Sequence, residues 1–182
     1  MKSRSLVRFG SPILREQSKF LTTSEIKSDS IRQFIDELKA SIESKQYGVG
    51  LAAPQVGKNL CIAIIDIKPT ALRPNVEKFS MIVINPTYQG IGRRRSLWEG
   101  CLSSGTGKNT LYAKALRYTK IHATWHDEHG KLHKKILTEL QAHVFQHETD
   151  HLNGVLFVDR VRDTQTYMMA DEYKKRIAKK QT

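Results

Sequence analysis

The sequence predicts an α+β fold. Helical and strand-like stretches occur in mixed order, without the regular strand–helix alternation of a doubly wound sheet. Three stretches carry helical periodicity or caps: 30–45, the stretch between Thr138 and Gly154, and 163–180. Between them lie short runs rich in β-branched residues, two of which flank a turn. At 182 residues the prior is a single domain, 1–182. With 39% hydrophobic and 26% charged residues, a folded globular chain is expected rather than a disordered one.

Residues 1–22, with Gly10-Ser11-Pro12, read as an irregular arm. Ser28 or Asp29 caps a helix over 30–45, whose Ile31, Phe34, Ile35, Leu38 and Ile42 form one apolar stripe. The stretch Gly48-Val49-Gly50-Leu51-Ala52-Ala53-Pro54-Gln55-Val56-Gly57 is made mostly of small residues, so backbone can approach a ligand closely. It lacks the Gly-Lys-Ser/Thr ending of a phosphate loop. Gln55 is its one side-chain hydrogen-bond donor, and its amide could hold an oxyanion.

Cys61–Ile67 reads as a strand and 68–80 as an excursion loop. Met81–Ile84 reads as a second strand, ended by Asn85-Pro86 and followed by a basic turn over Gly90–Ser96. Ser104–Asn109 reads as a loop. Ile121–Trp125 and Leu132–Leu137 form a hairpin around Asp127-Glu128-His129-Gly130. A terminal helix spans Asp163–Lys180, with Lys and Arg toward its end, where they suit the helix dipole.

The chemistry concentrates at Gln146-His147-Glu148-Thr149-Asp150-His151-Leu152. Residues four apart share a helix face, so His147 and His151 can reach one ion, and Glu148 can take a proton from metal-bound water. Thr138 and Gln141 fit a capping box for this helix, and Gly154 fits its stop. A polar helix face would carry the same short pattern, so a third ligand elsewhere has to decide. Cys101, in Glu99-Gly100-Cys101-Leu102-Ser103, is the candidate upstream of the helix; Asp159 and Glu172 are the candidates downstream, where a zincin-type peptidase places its ligand.

Two cysteines make no disulfide framework and suit a reducing compartment. Cys61, inside an apolar run, reads as core. No apolar run is long enough for a membrane span. The net charge of +12 favours attraction to polyanions, but no aromatic–basic interleaving marks specific nucleic-acid recognition. A non-enzymatic polyanion-binding module is the third reading.

The three motifs together, in this order and at these separations, resemble the peptide deformylase family over about residues 8 to 160. The resemblance implies β-sheets, antiparallel or mixed, packed around the central helix that carries the metal motif. It implies Cys101, His147 and His151 as ligands of one divalent ion, Fe²⁺ in the cell, with Zn²⁺, Ni²⁺ or Co²⁺ accepted in purified protein. It implies Glu148 as general base and later acid, and Gln55 with the Leu102 N–H as oxyanion donors. Glu99 would support the site. Gly48, Val49, Gly50, Gly100, Leu140, His143 and Val144 would line the substrate pocket together with it. The substrate implied is the N-formyl-methionine of newly made polypeptides, with formate released, in a bacterial cytoplasm rather than an organelle. Transient ribosome contact through Lys174-Lys175-Arg176 is a further expectation.

Three positions depart from the family's pattern. Ser104-Gly105 follows Ser103 where a Pro is usual, Leu116 stands where a Pro often precedes Arg117, and Glu139 stands where the metal helix usually begins with Gly. They bear on the pocket rim and leave the ligands, Glu148 and Gln55 intact.

Overall fold

The computed structural model describes residues 3–45, 48–70 and 73–178. Four helices, α1 (Thr23–Ile26), α2 (Asp29–Glu43), α3 (Glu139–Leu152) and α4 (Ala170–Arg176), accompany eight strands. The strands are β1 (Gly50–Ala52), β2 (Ile62–Ile67), β3 (Phe79–Gly90), β4 (Arg94–Gly100), β5 (Leu111–Tyr118), β6 (Lys120–His126), β7 (Leu132–Thr138) and β8 (Met168–Met169). They form a five-stranded sheet in the order β1-β2-β3-β6-β7 and a three-stranded sheet in the order β4-β5-β8. Every strand pairing in the two sheets is antiparallel.

The apolar pattern explains the layering. Helix α2 begins where the Ser28 hydroxyl accepts from the Ile31 N–H, and its stripe packs on Ile62, Ile64, Ile82 and Ile84. The opposite face of the same sheet presents Ile65, Val83, Ile121, Ala123, Trp125 and Leu137 to Ala142, Val144 and Phe145 of α3. Strand β2 is therefore buried on both faces, which is why it reads as an apolar run interrupted only at Asp66. Helix α3 also touches β5 of the smaller sheet, so the metal-motif helix lies between the two sheets.

Several sequence expectations are corrected. Asn85-Pro86 does not end the second strand: β3 runs through it to Gly90, with a register shift between Ile84 and Thr87. Asn85 adopts φ +51° and its side-chain amide bonds both backbone groups of Leu21, while Pro86 has no N–H to lose at a bulge. The basic stretch expected as a turn over Gly90–Ser96 is a turn only at its centre, since β4 starts at Arg94. Strand β5 went unread because its inward residues are Ala113, Ala115 and Arg117, so no apolar alternation marks it.

The terminal helix is shorter than expected. Asp163 caps a 3₁₀ turn over Thr164–Thr166 through the Gln165 N–H; Met168–Met169 then pair with β5, and helix begins only at Ala170. Lys179 and Lys180 lie outside the described residues. The capping box at α3 is also absent: Thr138 is the N-cap but its side chain accepts nothing. Glu139 instead takes φ +47°, the left-handed conformation that favours glycine.

Candidate metal centre

The Glu99–Ser103 motif straddles the end of β4, where the chain turns at Cys101, and the histidine motif occupies the buried half of α3. The donor atoms of Cys101, His147 and His151 all lie within 4.8 Å of one another, the one such group among the described residues. Cys101 Sγ is 3.3 Å from His151 Nε2. The two imidazoles stand edge to face, with centroids 4.8 Å apart. One thiol and two imidazoles converging in a buried pocket fit a soft or borderline divalent ion.

Glu99 orients this group. Fully buried, its carboxylate receives His147 Nδ1 on Oε1 and His143 Nε2 on Oε2 at 2.7 Å. The ionised carboxylate only accepts, so both ring nitrogens donate, which leaves the lone pair of His147 Nε2 free to meet a cation. Arg117, itself 1% exposed, closes on Glu99 with Nε at 2.9 Å and Nη2 at 2.8 Å. Burial works to raise the Glu99 pKa, but His147 and Arg117 outweigh it and hold the carboxyl well below the usual range. Burial likewise opposes charge on His147, yet Glu99 and Cys101 raise it well above an ordinary imidazole. Glu99 and the Cys101 sulfur make the surroundings of His147 electronegative, a field that favours a cation there. His151 is held low by burial and then by His147. The neutral form is the one that ligates.

Gln55 reaches toward the Cys101 sulfur, and Glu148 is buried on the helix that carries both histidines. Gln55 sits in the 3₁₀ turn Ala53–Val56 after β1. Its Oε1 accepts from the Ala52 N–H at 2.8 Å, which turns the amide NH₂ toward Cys101 Sγ (3.5 Å) and Ser103 Oγ (3.3 Å). Glu148 is 2% exposed, its Oε2 has no partner, and burial pushes its carboxyl up to about 7. It lies against Gly50: a Cβ there would fall 2.2 Å from Glu148 Oε1. Gly48 packs on Ile42 and Leu102, and Gly100 on the ring of Tyr112.

Leu140, Val144 and Val49 belong to the apolar cluster beside α3, and His143 meets Glu99 through Nε2. Leu102 is half-buried against the α2 cluster. A hollow of about 490 Å³ lies elsewhere, between α2 and the β6–β7 turn, lined by Lys27, Arg32, Ile35, Asp36, Lys39, Glu128 and His129.

Sequence reasoning gave no site role to Arg117, Asp150 or Ser103. Arg117 pairs with Asp150 as well as Glu99, and Ser103 is fully buried with its N–H on Cys101 Sγ at 3.4 Å. An arginine on an unread strand gives no signal of burial. Asp150, between two motif residues and unable to reach the ion face, was the available clue.

Fold and donor set define the class: an α+β protein with a buried Cys-His-His group able to hold one metal ion beside a carboxylate. The family model for polypeptide deformylase matches residues 3–167. Peptide deformylase 2 of a Nostoc species is 34% identical over 178 residues, covering 96% of this chain and 94% of its own length. The Synechocystis peptide deformylase is 37% identical over 153 residues, covering 84% and 75%. Among solved structures, a class I type b peptide deformylase from Acinetobacter baumannii with Met-Ala-Ser bound superposes with TM-score 0.80 at 25% identity, covering 87% of this chain and 98% of that one. A peptide deformylase from Synechococcus elongatus in complex with actinonin gives 0.76 at 34% identity, covering 91% and 82%.

The chain belongs to the polypeptide deformylase family, metalloenzymes that remove the formyl group from the N-formyl-methionine of nascent peptides.

Proposed function

We propose that Cys101, His147 and His151 hold the ion and that Glu148, Gln55 and the Leu102 N–H carry out the proton transfer and charge stabilisation of deformylation. The observation that carries this reading is the convergence of three candidate ligand atoms with the Gln55 amide, beside a helix that also buries the unpartnered Glu148 Oε2. A divalent ion in this site would acidify a water from a pKa of ~16 toward ~7 and polarise the formyl oxygen.

The chain's own residues supply the rest. Glu148, with its carboxyl near 7, is poised to accept the proton of the attacking water and return it to the leaving amine. Gln55, its amide fixed by Ala52, offers an N–H to the oxygen on which negative charge develops. The Leu102 N–H, on the turn beyond Cys101, would be the second donor. Gly48, Val49, Gly50, Gly100, Leu140 and Val144 form the walls that receive the methionine side chain, and Glu99 and His143 hold the site behind them. Gln55→Ala should lower kcat by about 10²–10³ while the bound metal stays. An unchanged kcat would remove Gln55 from the role.

The thiolate–imidazole set accepts Fe²⁺, Zn²⁺, Ni²⁺ and Co²⁺ alike, and Fe²⁺ is the ion proposed in the cell. The chain is read as one catalytic domain acting in a bacterial cytoplasm. This accords with bacterial relatives matched along most of their length and with the absence, among the described residues, of a helix able to cross a membrane. The basic end of α4 is proposed to make transient contact with the anionic ribosome, with no sequence-specific nucleic-acid binding. Lys175 and Arg176 both also meet Glu172. Replacing both by Glu should weaken co-sedimentation with ribosomes at low salt, and unchanged co-sedimentation would remove the contact.

A further inference from the structure

Four charged side chains join His147 to the protein surface. Glu99 takes His147 and Arg117, Arg117 takes Asp150, and Asp150 takes Arg160. Arg160 approaches Asp150 with both ends of its fork, Nη2 to Oδ1 at 2.7 Å and Nε to Oδ2 at 3.0 Å. Glu99, Arg117 and Asp150 are each 4% exposed or less, while Arg160 is 34% exposed. Two carboxylates and two guanidiniums make the cluster neutral.

We infer that Arg160 is a positioning residue for the metal ligand His147, acting through Asp150 and Arg117 on Glu99. The inference rests on the reading of Cys101, His147 and His151 as ligands.

The geometry argues for this in three ways. First, Arg117 is the one guanidinium bonded to Glu99 among the described residues, and it is shared with Asp150. A buried carboxylate that loses a partner draws harder on the one that remains. Without Arg160, Asp150 would compete with Glu99 for the Arg117 fork, and the carboxylate that aims His147 Nδ1 would lose its alignment. Partners of this kind commonly set metal affinity by 10–100-fold.

Second, Arg160 is held in place by contacts other than its own ion pair. It ends a 3₁₀ turn, Phe157–Arg160, whose Asp159 accepts from the Leu156 N–H at 2.8 Å and pairs with Arg15. Phe157 is buried, with its ring centroid 6.2 Å from that of Phe9. The next residue, Val161, bridges to Ala115 on β5, the strand that carries Arg117. Third, Arg160 is partly in water, so its bare charge is screened at the site. The effect of replacing it runs through the buried hydrogen bonds.

The test uses Arg160→Lys and Arg160→Met, both at a position open enough for the chain to fold around the change. Lysine keeps the charge but has no planar fork. Each protein is loaded with Co²⁺, its visible spectrum is recorded, and extraction by a chelator is timed. The expected result is about tenfold faster extraction from both variants and a changed Co²⁺ spectrum, with no rescue by lysine. Wild-type extraction and spectrum in both variants, even with a lowered Tm, would reduce Arg160 to a structural ion pair and overturn the inference. Rescue by lysine would also overturn it, because charge alone would then suffice. If wild-type protein bound no Co²⁺ at all, the ligand reading itself would fall, and this inference with it.

Discussion

A missing methyl group decides where the Glu148 carboxylate sits. Gly50 leaves the space that Glu148 Oε1 occupies, and any β-carbon would lie 2.2 Å from that oxygen. The oxygen ends a buried side chain with little room to retreat. Gly50→Ala should therefore leave the three ligands in place and shift the carboxylate, lowering kcat/KM by about 100-fold or more, the scale of an ångström's misplacement at a reacting centre. Metal content and formate release measured together check this: retained metal with lost turnover is expected, and full turnover would show that Glu148 has room to spare. At this scale the sequence was legible where residue type and spacing carry the chemistry. The i, i+4 histidines, Cys101 and Gln55 all meet in one place. What was illegible is the charge behind them. Arg117 faces inward from a strand whose other inward residues are alanines, and no pattern along the chain signals a buried guanidinium.

Glu139 tests how well the start of α3 is tuned to its element. A glutamate at φ +47° carries a cost that glycine does not, of about 1 kcal/mol. Glu139→Gly should raise Tm by roughly 2–4 °C, the shift expected for about 1 kcal/mol in a chain of this size. A fall in Tm on thermal melting would mean that the side chain earns its place through contacts. The α3 start looked like a capping box because Thr138 and Gln141 have the right spacing; the positive φ between them redirects the entering chain, so the hydroxyl caps nothing. The β3 bulge escaped notice for a related reason. Asn85 stands in for backbone by bonding Leu21, a partner 64 residues away that local spacing cannot reveal.

The β6–β7 hairpin carries its own pH dependence. Burial works to raise the Asp127 carboxyl, but His133 and the N–H groups of Lys131 and His129 outweigh it and hold it below its usual value of 3.8. A lowered carboxyl stabilises the folded hairpin above that value, and the contribution fades as pH falls through the lowered pKa. Protection factors of the hairpin amides, corrected for intrinsic exchange, should fall in acid for the wild type and show a flatter acid limb in Asp127→Asn. An unchanged acid limb in the variant would acquit the residue.

Across the whole molecule, the N-terminal arm ties the first two motifs together. The Val7 N–H donates to the Gln55 carbonyl at 2.8 Å and the Phe9 N–H to the Ser103 carbonyl at 3.0 Å. Arg8 Nη1 reaches the Leu102 and Gly105 carbonyls at 2.9 and 3.0 Å. The arm thereby bridges the Gln55 turn and the Cys101 turn, which come from different sheets. From sequence it read only as irregular, because a segment that works through its backbone N–H groups leaves no side-chain pattern. Removing residues 1–9 deletes hydrogen bonds worth about 1 kcal/mol each and frees the two turns. Stability should fall by a few kcal/mol in denaturant titration, with kcat falling more than the affinity for metal. Equal kcat in the truncated protein would show that the two turns hold their own positions.

The measurement that bears most directly on the central claim is formate release from a short formyl-methionyl peptide by wild-type protein and Glu148→Ala. Each would be assayed as purified, after metal removal, and after anaerobic reloading with Fe²⁺, Ni²⁺ or Zn²⁺. Release that needs the metal, returns on reloading and disappears in Glu148→Ala at full metal occupancy is the expected result. A metal-loaded wild type that releases no formate, or a Glu148→Ala protein that releases it at the wild-type rate, would contradict the roles given to the site.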